Sequence, residues 1–77
     1  MDVTEARWLQ HLRARAKAYQ TLHRKAHILA ERACRQGNAR AAIGWQNAGA
    51  LYHRQARAGL EYYTEALDFL ARERVAP

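Results

Sequence analysis

Gly37-Asn38 lies close to the midpoint of the 77 residues, and it is the one strong turn signal between two long helix-compatible stretches. Glycine takes the left-handed conformation that ends a helix, and asparagine is among the best residues for starting the next. A chain built this way folds back on itself as an all-α, antiparallel hairpin of two long helices. Such an object is thin and has little interior, and nothing in its plan makes a deep pocket.

Composition supports the same reading. There are 4 glycines and 1 proline, so loops and breakers are few. Alanine, arginine, leucine, glutamine and glutamate, all good helix formers, dominate. The length allows one small domain, 1–77, read as a helix over 4–36, a turn at 37–38 and a helix over 39–74. Asp2 or Thr4 can cap the first helix, and Glu5 stands three residues after Asp2, the spacing of a capping box. Gly44, Gly49 and Gly59 each cost about 1 kcal/mol within a helix. They raise the alternative of a break near Ala56–Gly59, but Ala-Arg-Ala-Gly is a poor turn sequence, and a continuous helix is preferred.

Helical periodicity gives each half an apolar stripe. In the first it is carried by Trp8, Leu12, Tyr19, Leu22, Ala26, Leu29, Ala30 and Ala33, with Arg15 as an intruder. In the second it runs through Ala42, Trp45, Gly49, Tyr52, Ala56, Leu60, Tyr63, Leu67 and Leu70, in steps of three and four close to a coiled-coil heptad. Folding at Gly37-Asn38 then sets Tyr19 near Ala56, Leu12 near Tyr63, Trp8 near Leu67, and Ala26 and Ala30 near Gly49 and Trp45. It also predicts an Arg15–Glu61 ion pair. Leu22, Leu29, Leu51, Tyr62 and Phe69 fall on shoulders beside the stripes. A lone hairpin leaves these wet, so the fold is expected to be completed by self-association or by a protein partner, and these five residues are the candidate docking surface.

The formal net charge is +6, and between Arg7 and Arg57 the only acid is Glu31. Arg13, Lys17, Arg24, Arg32 and Arg35 lie opposite the first apolar stripe. They offer phosphate contacts without obvious base readout, which makes nucleic acid the alternative partner. Cys34 is the single cysteine and permits no internal disulfide; packing near the turn is its expected role. No apolar run approaches the ~20 residues of a membrane span, and Met1–Glu5 lacks the pattern of a secretory signal, so an intracellular location, cytoplasmic or nuclear, is expected.

Catalytic chemistry finds no support. There is no Ser/His/Asp set, no glycine-rich phosphate loop and no carboxylate pair in a cleft. His23 and His27, spaced i, i+4, could meet His53 across the hairpin, and three histidines can bind zinc. Boundary histidines are the preferred reading, with no metal, cofactor or small-molecule substrate expected. The tryptophans and tyrosines are likewise read as core rather than as base-stacking platforms.

Leu12-Arg13-x-x-Ala16 is followed, after thirteen residues, by Ala30-x-x-Ala33-Cys34-x-x-Gly37-Asn38-x-x-x-Ala42-x-x-Trp45-Gln46-x-x-Gly49. This resembles the helical domain of unknown function that often precedes Smr (MutS-related) nuclease domains. Cys34 replaces the usual aromatic and Trp45-Gln46 the usual Leu-Ser. The resemblance implies a helical hairpin that accompanies nucleic-acid-processing proteins, and no catalytic residue is carried over. Trp45-x-x-Ala48-Gly49-x-x-Tyr52 with Gly59-Leu60-Glu61-Tyr62-Tyr63-x-x-Ala66-Leu67 also resembles one tetratricopeptide repeat, which implies an adaptor. That pattern wants a turn between Tyr52 and Gly59, and the spacing is about two residues short for it.

Overall fold

A computed structural model describes residues 2–75; Met1, Ala76 and Pro77, the ends of the expected 1–77 domain, lie outside the described residues. Two helices, α1 (Val3–Arg35) and α2 (Ala39–Val75), pack side by side as an antiparallel hairpin. Their bounds lie within one residue of those expected from sequence. The molecule measures 63 × 17 × 11 Å, and its smallest dimension is about the diameter of one helix. Its radius of gyration is 17.6 Å, against about 11 Å for a compact domain of this length.

Local chemistry sets both ends of α1. The Asp2 side chain accepts from the Glu5 amide at 2.8 Å, and the Glu5 carboxylate accepts in return from the Asp2 amide at 3.3 Å, closing a capping box. At the other end Gly37 takes φ +73°. The Asn38 amide donates to the Ala33 carbonyl at 2.9 Å and the Gly37 amide to that of Cys34 at 3.0 Å, the two bonds of a Schellman closure. Asn38 then starts α2. Its side-chain oxygen accepts from the Ala41 amide at 3.1 Å and its carbonyl from the Ala42 amide at 3.0 Å. One residue thus closes the first helix and opens the second, which leaves no slack in the reversal.

The register follows the turn. A Cβ added at Gly59 would stand 3.2 Å from the Ala16 Cβ and 3.3 Å from its Cα; one added at Gly49 would stand 3.5 Å from the Ala26 Cβ. Both pairs match the expected alignment. At the open end Leu9, Ala66 and Leu70 form a cluster with Leu12 and Tyr63 packed on it. Between these points the Tyr19 and Tyr52 rings meet with centroids 6.4 Å apart, inside the range of favourable aromatic pairs.

The seam is narrower than the stripes read from sequence. Leu9 and Ala16 belong to it on α1, and Gly59 and Ala66 on α2, in places where the sequence pattern had favoured Trp8, Leu60 and Leu67. Those three are exposed. Trp8 instead borders a groove with Leu12, Tyr62, Ala66 and Phe69, away from Leu67. The physical reason is the close approach itself. Where Gly59 meets Ala16 the approach leaves no space for a large side chain, and the seam alternates such small pairs with Leu9, Leu12, Tyr19, Tyr52, Tyr63 and Leu70. Trp45 is also exposed, so neither tryptophan is a core residue, and Cys34 is exposed rather than packed.

α2 runs unbroken through Ala56–Gly59, as preferred from the sequence over a break there, and Gly59 serves contact with Ala16 rather than a turn. One further expectation fails. Arg15 and Glu61 do not pair; the ion contacts among the described residues both converge on Glu31, from His27 at 3.2 Å and Arg35 at 3.8 Å. Arg15 borders a groove with Gln55, Gly59 and Tyr62, whereas Glu61 borders the next one out, with Ala58, Tyr62 and Glu65. Among the described residues no helix is long and apolar enough to cross a membrane.

The glycines separate propensity from packing. Gly44 has no atom within 4 Å of an added Cβ, so Gly44→Ala should stabilise the fold by about 0.5–1 kcal/mol in denaturant unfolding at matched protein concentration. Gly59→Ala meets backbone instead and should destabilise by about 1 kcal/mol despite the same gain in propensity. Asn38→Ala removes the cap of α2 and should cost about 1 kcal/mol; an unchanged midpoint would show that the turn does not depend on it.

Candidate interaction surfaces

The seam positions repeat as a heptad along both helices: Leu9, Leu12, Ala16, Tyr19, His23, Ala26, Ala30 and Ala33 on α1, and Ala42, Trp45, Gly49, Tyr52, Ala56, Gly59, Tyr63, Ala66 and Leu70 on α2, with Trp45 at its margin and exposed. In an antiparallel pair with this seam, like flanks adjoin. The slab therefore presents two broad surfaces. Because it is one helix thick, both are open along its length.

One surface is apolar. The heptad assigns Trp8, Leu22 and Leu29 of α1 and Leu51, Tyr62 and Phe69 of α2 to the same side. The geometry agrees where side chains meet: Trp8, Tyr62 and Phe69 border one groove, and Arg15, Gln55 and Tyr62 the next along the same flank. Tyr62 is 65% exposed and Phe69 53%. All five shoulder residues read from the sequence thus fall on one side of the hairpin, and Trp8, expected in the core, joins them. Its heptad place could have been found only by letting Leu9 and Ala16 define the seam.

The opposite surface carries Arg13, Lys17 and Arg24 from α1. Arg32 and Arg35 do not continue this row. The heptad moves Arg32 to the apolar side and Arg35 to the outer edge, where it meets Glu31 at 3.8 Å. The basic residues grouped from sequence are therefore split, because seven-residue periodicity in a paired helix drifts away from the 100° spacing of a straight one.

This second surface also holds the histidines. The His23 and His53 rings meet across the seam with centroids 5.0 Å apart, as the register requires. His27 borders the same groove with Trp45, but its Nε2 is directed to Glu31. Among the described residues no group of three or more His, Cys, Asp or Glu side chains is arranged to hold a metal ion. The grooves along the hairpin are open to solvent, and none gathers a nucleophile, a base and an orienting partner. What the surfaces can do chemically is bury apolar area on one side and, on the other, set anion-attracting side chains among the exposed Ile43, Leu60 and Leu67.

No family model, no curated protein and no solved structure matches the chain.

Proposed function

We propose that this chain is a non-enzymatic helical interaction module whose apolar surface docks a protein partner. The observation that carries the reading is the row of large apolar side chains left uncovered on one side, Phe69, Trp8, Tyr62, Leu51 and Leu22, with the half-buried Leu29 beyond them. Contiguous apolar area of this kind on a small protein marks an interaction site. The hairpin has reason to need the cover. Seven of its nine buried apolar side chains are alanine, and each alanine buries far less area than the ~1.5–3 kcal/mol of a buried leucine. The resemblance of residues 12–49 to the domain that precedes Smr nuclease domains supports a place within a nucleic-acid-processing assembly.

A second reading rests on the other surface. Arg13, Lys17 and Arg24 share it, and none of them contacts an acid among the described residues. Direct binding of an RNA or DNA backbone would use these three. The adaptor reading drawn from the tetratricopeptide pattern has less support, since α2 is straight through the residues where that repeat turns.

Capture by immobilised chain from nuclease-treated extract tests the two surfaces against each other. Leu51→Glu with Phe69→Glu should lose bound protein by about tenfold, while Arg13→Glu, Lys17→Glu and Arg24→Glu together should retain it. Binding through the apolar surface should also persist as salt rises from about 0.1 to about 0.5 M, where phosphate contacts weaken steeply. Loss of all capture on nuclease treatment, with the arginine and lysine reversals abolishing it, would give the function to the basic surface.

A further inference from the structure

The apolar surface is complementary to itself when turned end over end. Along α2 the residues on that side read, from the turn outward, Ala41, Gly44, Ala48, Leu51, Gln55, Ala58, Tyr62, Glu65 and Phe69. Small residues occupy the turn end and rings the open end. A two-fold axis through Gln55, perpendicular to the rod, lays this row antiparallel on its copy. Phe69 then opposes Ala41, Tyr62 opposes Ala48, Leu51 opposes Ala58, and Gln55 opposes itself. Carried through the observed register, the same axis crosses α1 near Gln20. Leu22 then opposes Ala18, and Trp8 opposes Arg32, an arrangement that suits a guanidinium over an indole. Trp8, Leu22, Leu51, Tyr62 and Phe69 each meet a small side chain or a cation, and Leu29 comes level with the His11 ring.

Charge follows the same symmetry. The half of the hairpin nearer the turn, residues 20–55, has six basic residues against Glu31 alone. The open half holds the other six acids, Asp2, Glu5, Glu61, Glu65, Asp68 and Glu73, with seven bases. A parallel pairing would stack the strongly basic halves on each other. The antiparallel pairing sets each basic half over a nearly neutral one and keeps Glu65 between Lys25 and Arg32 of the second copy in axial position. Arg15 and Lys25 come level on facing helices, and both have stems long enough to carry the charge to the rim.

The size is adequate. A surface of 63 × 17 Å presents about 1,000 Å², against ~800 Å² per partner in a standard stable interface. The geometry points to a second copy of this chain as the occupant of the apolar surface, forming a two-fold symmetric, antiparallel four-helix bundle with Gln55 on the axis. This inference rests on the docking role of that surface and names its partner. The bundle would leave Arg13, Lys17 and Arg24 of both copies facing outward on opposite sides.

Sedimentation equilibrium of the wild-type chain at tens of micromolar should give twice the 8.9 kDa of one copy. In a Cys34→Ser background, Gln55→Cys should form a disulfide-linked dimer readily on mild oxidation. Ala48→Cys should not, because its own copy lies about 21 Å away along the rod in this register. Mixing Ala48→Cys with Tyr62→Cys chains should yield the crosslinked heterodimer. These changes are on the surface, and circular dichroism checks that the helices persist. A monomeric wild type overturns the inference, as does a dimer in which Ala48→Cys couples to itself as readily as Gln55→Cys. A monomer that still captures another protein through Leu51 and Phe69 removes the second copy as occupant and leaves the docking role standing. Glutamate at those two positions without effect on any association would remove both.

Discussion

The contact between Gly59 and Ala16 governs this fold. With an added Cβ only 3.3 Å from the facing Cα, the helices come close enough there that even a methyl group in place of the glycine hydrogen would be tight. Ala26 against Gly49 repeats the approach near the turn. Close backbones multiply weak dispersion contacts at these two points, and at Gly59 they leave no room for a large side chain. A seam of alanine and glycine therefore selects both the register and the identity of what it excludes.

What it excludes becomes surface. Trp8, Tyr62 and Phe69 are displaced from between the helices to one broad side, together with Leu22 and Leu51. Within the hairpin large apolar area is buried mainly at the open end, by Leu9 and Leu70 with Leu12 and Tyr63. Elsewhere the seam is mostly alanine and glycine, which bury little, and the exposed rings would bury their area only against a second body.

The basic residues divide along the same geometry. Arg13, Lys17 and Arg24 remain on the side away from the apolar row, whereas Arg32 passes to the apolar side and Arg35 to the edge beside Glu31. The larger row of rings and the three basic residues thus lie on opposite surfaces of one slab, so the proposed docking and the alternative anion contact would draw on different side chains.

Much of the architecture was legible in chain order because it rests on local chemistry. A glycine at φ +73° followed by a capping asparagine closes a helix and opens another wherever it occurs, and Asp2 with Glu5 caps the start by the same local rules. Alignment about that turn then places Ala26 on Gly49 and His23 beside His53. The absence of any breaker other than glycine makes two long helices the natural outcome. Side-chain hydrophobicity could not identify the seam, however, because the most apolar residues were assumed to lie inside. Leu9, Ala16, Gly59 and Ala66 took those places from Trp8, Leu60 and Leu67. That exchange depends on how near two backbones come and on the heptad drift that pairing imposes. Both are properties of the helix pair, so neither the uncovered row of rings nor the split of the basic residues is decided until the helices meet.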